Sequence, residues 1–181
     1  MSLWFRMARV LATTGRRPKL GLLDESELNF RVWPSDLDFN LHMNNARYLA
    51  VMDLGRLDLV VRGGLWRAVL RRRWQAVLAG SVVRFRRQLR PFQPFTLKTR
   101  LVGWDERWLY LDHRIEGPDG LACHALMRAA FVGPTGVVAP AEVVAEAGWN
   151  GTPPPPPAWA GAWRELDRSL EPAAPRAEVA A

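Results

Sequence analysis

Residues 44–62 read NNARYLAVMDLGRLDLVVR, and the distribution of apolar side chains in this stretch decides the fold class. Tyr48, Met52, Gly55 and Leu59 recur at helical spacing, while Leu49, Leu54, Leu57, Val60 and Val61 cover most of the remaining circumference. A surface helix keeps one polar half, so a helix that is apolar nearly all round is buried. Gly63 and Gly64 end it. Asp53 with Arg56, and Asp58 with Arg62, are spaced for side-chain pairing along it.

Just upstream, residues 27–33 (ELNFRVW) alternate around Leu28, Phe30 and Val32 until Pro34 intervenes. That is the period of a strand with one buried face. Downstream, residues 65–74 (LWRAVLRRRW) read as a short basic helix. Four strand-like segments follow, over 75–89, 95–104, 108–115 and 121–132. Pro91 with Pro94, Asp105 with Glu106, and the run Gly117-Pro118-Asp119-Gly120 separate them. One strand, one long buried helix and four meandering strands predict an α+β domain, with an antiparallel sheet against the helix.

That domain is expected over residues 27–148, between two appendages. Residues 1–26 form a short basic segment. Arg6 and Arg9 interrupt its apolar run, so it lacks the uninterrupted stretch of a secretory signal. It fits a basic amphipathic helix, lying on the domain or making peripheral contact with a membrane. Residues 149–181 contain five prolines, Pro153 to Pro157, and are expected to be a mostly disordered tail with room for a helix over 159–170.

The composition narrows the function classes. The 181 residues carry a net charge of +7, and of the 25 basic side chains only Lys19 and Lys98 are lysine. Arginine binds phosphate through a planar fork, which points to an anionic partner. No nucleic-acid-binding motif accompanies the charge, so nucleic acid is not the expected partner. No apolar run reaches the roughly 18 residues of a membrane-spanning helix. The single cysteine, Cys123, excludes an intramolecular disulfide framework, fits a cytoplasmic location, and reads as a small core residue. His113 and His124 stand alone in strand patterns, so no metal or other cofactor is expected.

The concentrated chemistry lies in residues 35–48, SDLDFNLHMNNARY, between the end of the strand and the start of the buried helix. Two readings stand side by side. Asp36, Asp38 and Asn44 are suited to capping helix-start N–H groups. Alternatively, a helix N-terminus offers free donors and a positive dipole end to a developing oxyanion, while a neighbouring carboxylate acts as base or nucleophile. The second arrangement is a minimal acyl-transfer hydrolase site. Asp53, further along the helix, is a reserve carboxylate.

This segment resembles the signature D-x-D-x-x-x-H-x-N-N-x-x-Y of hotdog-fold thioesterases, the 4-hydroxybenzoyl-CoA thioesterase-like superfamily. The fold this implies is one long helix wrapped by a curved antiparallel sheet. Counting ten residues back from Tyr48 puts that family's catalytic aspartate on Asp38 and its oxyanion amide on Asn45. The similar turn of plant-type fatty acyl-carrier-protein thioesterases places functional groups on Asp38, Asn40 and His42. Their Glu-Cys pair is absent, because Gln88 and Leu89 follow Phe85-Arg86-Arg87 here. Within the superfamily the sequence is most similar to the thioesterase superfamily member 6 type, through PSDLD, HMNNARYL, Arg86-Arg87 with Leu89-Arg90, and the LxGWDxR run ending at Arg107.

The resemblance implies an acyl-CoA thioesterase, with a non-catalytic acyl-chain or membrane-associated binding module on the same fold as the alternative. Asp38, His42 and Asn45 are the implied catalytic set. Asn40, Asn44, Tyr48, Arg84 and Arg86 are the candidate substrate contacts. Alternation along a strand puts Arg84 and Arg86 on one face and Arg87 on the other. A homodimer or homotetramer is expected, because hotdog subunits pair sheet edges, and the location is expected to be cytoplasmic, peripheral at the membrane.

Overall fold

The computed structural model describes residues 2–170. Ser26–Arg31 form strand β1, and a 3₁₀ turn over Pro34–Asp36 leads to the long helix α2, Asn45–Arg62, preceded in the chain by helix α1, Leu3–Thr14. Helix α3 covers Trp66–Arg72. Strands β2 (Gln75–Phe85), β3 (Pro94–Trp104), β4 (Leu109–Gly117), β5 (Gly120–Gly133) and β6 (Gly136–Val138) follow, then helices α4 (Pro140–Glu146) and α5 (Trp159–Leu170). The sheet is antiparallel in the order β1-β3-β4-β5-β2, with β6 added to the last residues of β5. Register shifts at Leu78/Gly80, Leu101/Gly103 and Ile115/Glu116 mark irregularities of the kind that bends strands. The sheet curves around α2, the α+β hotdog arrangement that the sequence led us to expect.

The core lies between α2 and the concave face. Val51, Met52 and Leu54 of the helix are buried with Leu97, Ile115 and Met127 of the sheet. The other flank of α2 is covered by α1, whose Val10 joins the same core. Residues 2–26 are therefore built into the fold. Asp58, fully buried on α2, ties them down. It accepts from Arg17 Nη1 at 2.8 Å, from Ser26 Oγ at 2.6 Å and from Arg62 Nη1 at 3.0 Å. The last of these is the helical pair expected from spacing alone.

The tail contains the helix for which its sequence has room, Trp159–Leu170, and departs from expectation in packing it on the domain. Residues 149–170 are folded, and α5 lies on the sheet face opposite α2. Ala160 and Trp163 are buried there. Arg128 stacks on Trp163 and Trp108, its guanidinium 4.7 and 5.1 Å from the two rings, and bonds Asp167 at 2.9 Å. Trp159 meets Tyr110 edge-on at 5.3 Å. Arg128 and Tyr110 are register partners on neighbouring strands, so one patch of the outer face holds the whole helix. The proline run passes over Gly103, where a Cβ would sit 3.1 Å from the Pro155 carbonyl oxygen. Residues 171–181, also expected to be disordered, lie outside the described residues. Helix α4, begun by Pro140 at its first turn, carries no strong periodic signal in its seven residues and is therefore not legible in the sequence.

Candidate active site

The segment between β1 and α2 is held in place at both ends. Leu37 and Met43 form a β-bridge. Within it, Asp38 N donates to His42 O at 2.9 Å and Leu41 N to Asp38 O at 3.1 Å, closing a tight loop over residues 38–42. Leu41 adopts a left-handed conformation, φ +58°, to complete the reversal. Met43 N donates to Leu89 O at 2.9 Å, joining the loop to the chain that follows β2. The alternation along the loop then turns Asp38, Asn40 and His42 into one cleft and leaves Phe39 and Leu41 exposed.

That cleft has a volume of about 320 Å³. Besides the three loop residues it is lined by Asn45 and Tyr48 of α2 and by Phe85, Arg86, Arg87 and Gln88 at the end of β2. Asp38 Oδ1 accepts from Asn40 N at 2.8 Å, which fixes the carboxylate's orientation. Asn45 is the first residue of α2, so its N–H belongs to the turn that has no intrahelical acceptor. The next two amides are taken by Asn44: Ala46 N by its side chain and Arg47 N by its carbonyl, both at 2.8 Å. No backbone carbonyl among the described residues takes the Asn45 N–H. The cleft thus brings together a carboxylate, an imidazole and a free donor at the positive end of a buried helix dipole.

Several candidates fall elsewhere. Asn44 is the N-cap of α2, the capping alternative for that residue, and does not line the cleft. Tyr48 forms the floor: it is buried and meets Phe85 edge-on at 5.4 Å. Burial pushes its hydroxyl up to about 12, opposed by a hydrogen bond from the Leu89 backbone, so it is neutral at physiological pH. Arg84 lies within β2 opposite His124 and away from the cleft. Arg87, assigned by alternation to the other face, lines the cleft with Arg86. The cause is local. Strand β2 ends at Phe85, and Arg86 N and Arg87 N both donate to Ala122 O, at 2.8 and 3.1 Å, so the two-residue period stops there.

Asp53 is 59% exposed, pairs with Arg56 and lies outside the cleft. His113 is a buried sheet histidine bonded to Thr99 Oγ1 at 2.9 Å, and His124 meets Asp112 at 2.9 Å. Cys123 is fully buried, and burial pushes its thiol up to about 12. Asp36, the first acid of the motif, is also buried. Its Oδ2 accepts from Trp33 N at 2.9 Å and from Arg6 Nη2 at 2.5 Å. In the sequence Arg6 is only a break in an apolar run, since its partner lies thirty residues away.

Residues 32–163 match the profile of the Thioesterase-like superfamily. The chain belongs to that superfamily. It is 41% identical to Protein THEM6 of Xenopus laevis over 93 residues, which is 51% of this chain and 45% of that protein. The chain spans about half the length of the THEM6 relatives it matches. Among solved structures, the fold is similar to YbaW, a probable thioesterase from Escherichia coli (TM-score 0.62, 21% identity, 67% of this chain and 94% of that one). It is also similar to SAV2348 from Staphylococcus aureus, determined in complex with CoA (TM-score 0.61, 16% identity, 71% and 84%). In this superfamily member the motif loop, the buried helix and the β2 terminus meet in one cleft.

Proposed function

We propose that this protein is an acyl-CoA thioesterase. One observation carries the reading: Asp38 and the unpaired Asn45 N–H share a single cleft with Arg86 and Arg87. Asp38 activates a water, or itself attacks the thioester carbonyl carbon. The carbonyl oxygen gains negative charge as it becomes tetrahedral, and Asn45 N–H with the α2 dipole stabilises it. Collapse breaks the C–S bond, and the CoA thiolate leaves and takes a proton; attack by water yields the free acid directly, whereas attack by Asp38 leaves an acyl anhydride on its carboxylate that a water then hydrolyses to the free acid and the regenerated Asp38. His42 and Asn40 orient the carboxylate and the substrate. Arg86 and Arg87 supply the cationic rim suited to the phosphates of CoA. The complex of SAV2348 with CoA supports this choice of thiol carrier for the fold.

The proposal includes a homodimer or homotetramer. Strand β2 is the sheet's edge, is exposed along almost its whole length, and presents Val77, Leu78 and Val82. An eleven-residue apolar edge of this kind invites a second copy. Since β2 ends in the cleft, such pairing brings a partner close to the site. Light scattering at micromolar concentration tests it, and a strictly monomeric mass would exclude it. The proposal also includes a cytoplasmic location with peripheral membrane contact, supported by the outward face of α1, where Trp4 is 74% exposed beside exposed Phe5 and Leu11. Vesicle sedimentation, with and without anionic lipid, tests that contact.

The activity itself is tested by following release of CoA thiol from short-, medium- and long-chain acyl-CoAs. Turnover of at least one of them is expected. Saturable binding of acyl-CoA without turnover would replace this reading by the binding module, consistent with Gln88 and Leu89 standing where plant-type enzymes carry an acid and a thiol.

A further inference from the structure

Helix α1 grips the motif segment through Arg6. Arg6 is 1% exposed and Asp36 is 2% exposed. The guanidinium grips both carboxylate oxygens, Nη1 to Oδ1 at 3.2 Å and Nη2 to Oδ2 at 2.5 Å, and Nη2 also donates to the Arg31 carbonyl at 2.9 Å. It therefore clamps the last residue of β1 and the acid that begins the motif. Asp36 passes the constraint on. Its carbonyl accepts from Asn44 N at 2.8 Å, and Asn44 caps α2 directly ahead of Asn45. One residue beyond Asp36, Leu37 bridges Met43 and closes the loop that holds Asp38. Both the carboxylate and the free amide of the cleft thus hang from Asp36, and Asp36 hangs from Arg6.

We propose that Arg6 is a positioning residue for the site: acting through Asp36, it holds Asp38 and the Asn45 N–H in register with each other. The mechanistic part rests on the thioesterase reading given above; the structural part does not. A planar fork with two contacts fixes both distance and angle, which an ammonium cannot do from the same place. Placement errors of about 1 Å at a reacting centre cost rate on the order of a hundredfold, with little effect on the binding of distant substrate groups. Arg6 thus gives α1 a role distinct from covering apolar surface, which Val10 performs on the same helix.

The test compares Arg6→Met and Arg6→Lys with Val10→Ala in the full-length chain. Val10→Ala loosens the packing of α1 and leaves the clamp intact. Two readouts are taken: hydrogen exchange of the amides of residues 38–45, and kcat and KM on whichever acyl-CoA the wild type hydrolyses. For Arg6→Met, exchange of the Asn44 amide at least tenfold faster is expected, with kcat lowered ten- to a hundredfold and KM within twofold. Arg6→Lys should recover only part of each effect. Val10→Ala should lower the melting temperature with wild-type kcat and wild-type exchange in the loop. If Arg6→Met does not fold, Arg6→Lys carries the comparison alone. Wild-type loop exchange in a folded Arg6 variant, or loop exchange equally fast in Val10→Ala, overturns the proposal. A wild type that hydrolyses no acyl-CoA overturns the thioesterase reading instead and leaves the exchange readout to decide the clamp.

Discussion

Gly55 rests directly on Thr99: a Cβ added to the glycine would lie 2.1 Å from the threonine Oγ1 and 3.0 Å from the Leu97 side chain. The helix can approach the sheet this closely only where it carries no side chain. Thr99 is itself fixed by His113, so it cannot swing aside without breaking a buried hydrogen bond. Gly55→Ala should therefore destabilise the protein by about 1–3 kcal/mol through overpacking, despite alanine's better helix propensity. Urea denaturation measures it. Wild-type or greater stability would show that α2 has room to shift.

Asp38 is the carboxylate that the loop turns into the cleft. Asp38→Asn keeps its shape and its capacity to accept from Asn40 N, and removes the charge. The expected outcome is a fall in kcat of about 10²–10⁴ with the melting temperature nearly unchanged. His42→Ala should cost less, roughly tenfold to a hundredfold, if the imidazole only orients. An Asp38→Asn enzyme that turns over at the wild-type rate would reduce Asp38 to a turn former. Asp53 would not replace it, being outside the cleft.

The tail is expected to be structural. Trp163 is 7% exposed and stacks with Arg128 on the outer sheet face. Trp163→Ala should cost about 3 kcal/mol. Truncation after Gly148, which also removes Trp159 and Asp167, should lower the melting temperature further. A truncated chain that melts with the full-length one would show that α5 contributes nothing to the domain.

His113 makes stability depend on pH. Burial, reinforced by the charges of Arg56 and His124, lowers its pKa from 6.5 to about 3. Between these values the unfolded chain binds a proton that the folded chain excludes. Stability is therefore fully present above about pH 6.5 and declines as the pH falls toward 3, with a limiting slope of about 1.4 kcal/mol per unit. His113→Gln retains a partner for Thr99 and lacks the titration. Its unfolding free energy should fall less steeply than the wild type's between pH 6.5 and 4.5. Parallel profiles for the two proteins would remove His113 as the cause.

Local pattern alone determined β1, α2 and the motif loop. Leu28 and Phe30 alternate with exposed residues in an isolated six-residue segment. The apolar circumference of residues 45–62 is visible without any neighbour, and the polar run 35–48 announces a turn feeding a helix. These signals are legible because the interactions that specify them act between residues two to four apart. The rest needed the third dimension. Arg6 reads as a break in an apolar run until the fold sets it against Asp36. Arg87 reads as facing away until the Ala122 carbonyl on β5 takes two successive amides and ends the alternation. The tail reads as polar and small until Arg128 and Tyr110, register partners on β5 and β4, form the patch that receives Trp159 and Trp163. In each case the deciding partner lies between 30 and 60 residues away in the chain. Such a contact leaves no local periodicity to read, and only the completed sheet creates the surface that the side chain meets.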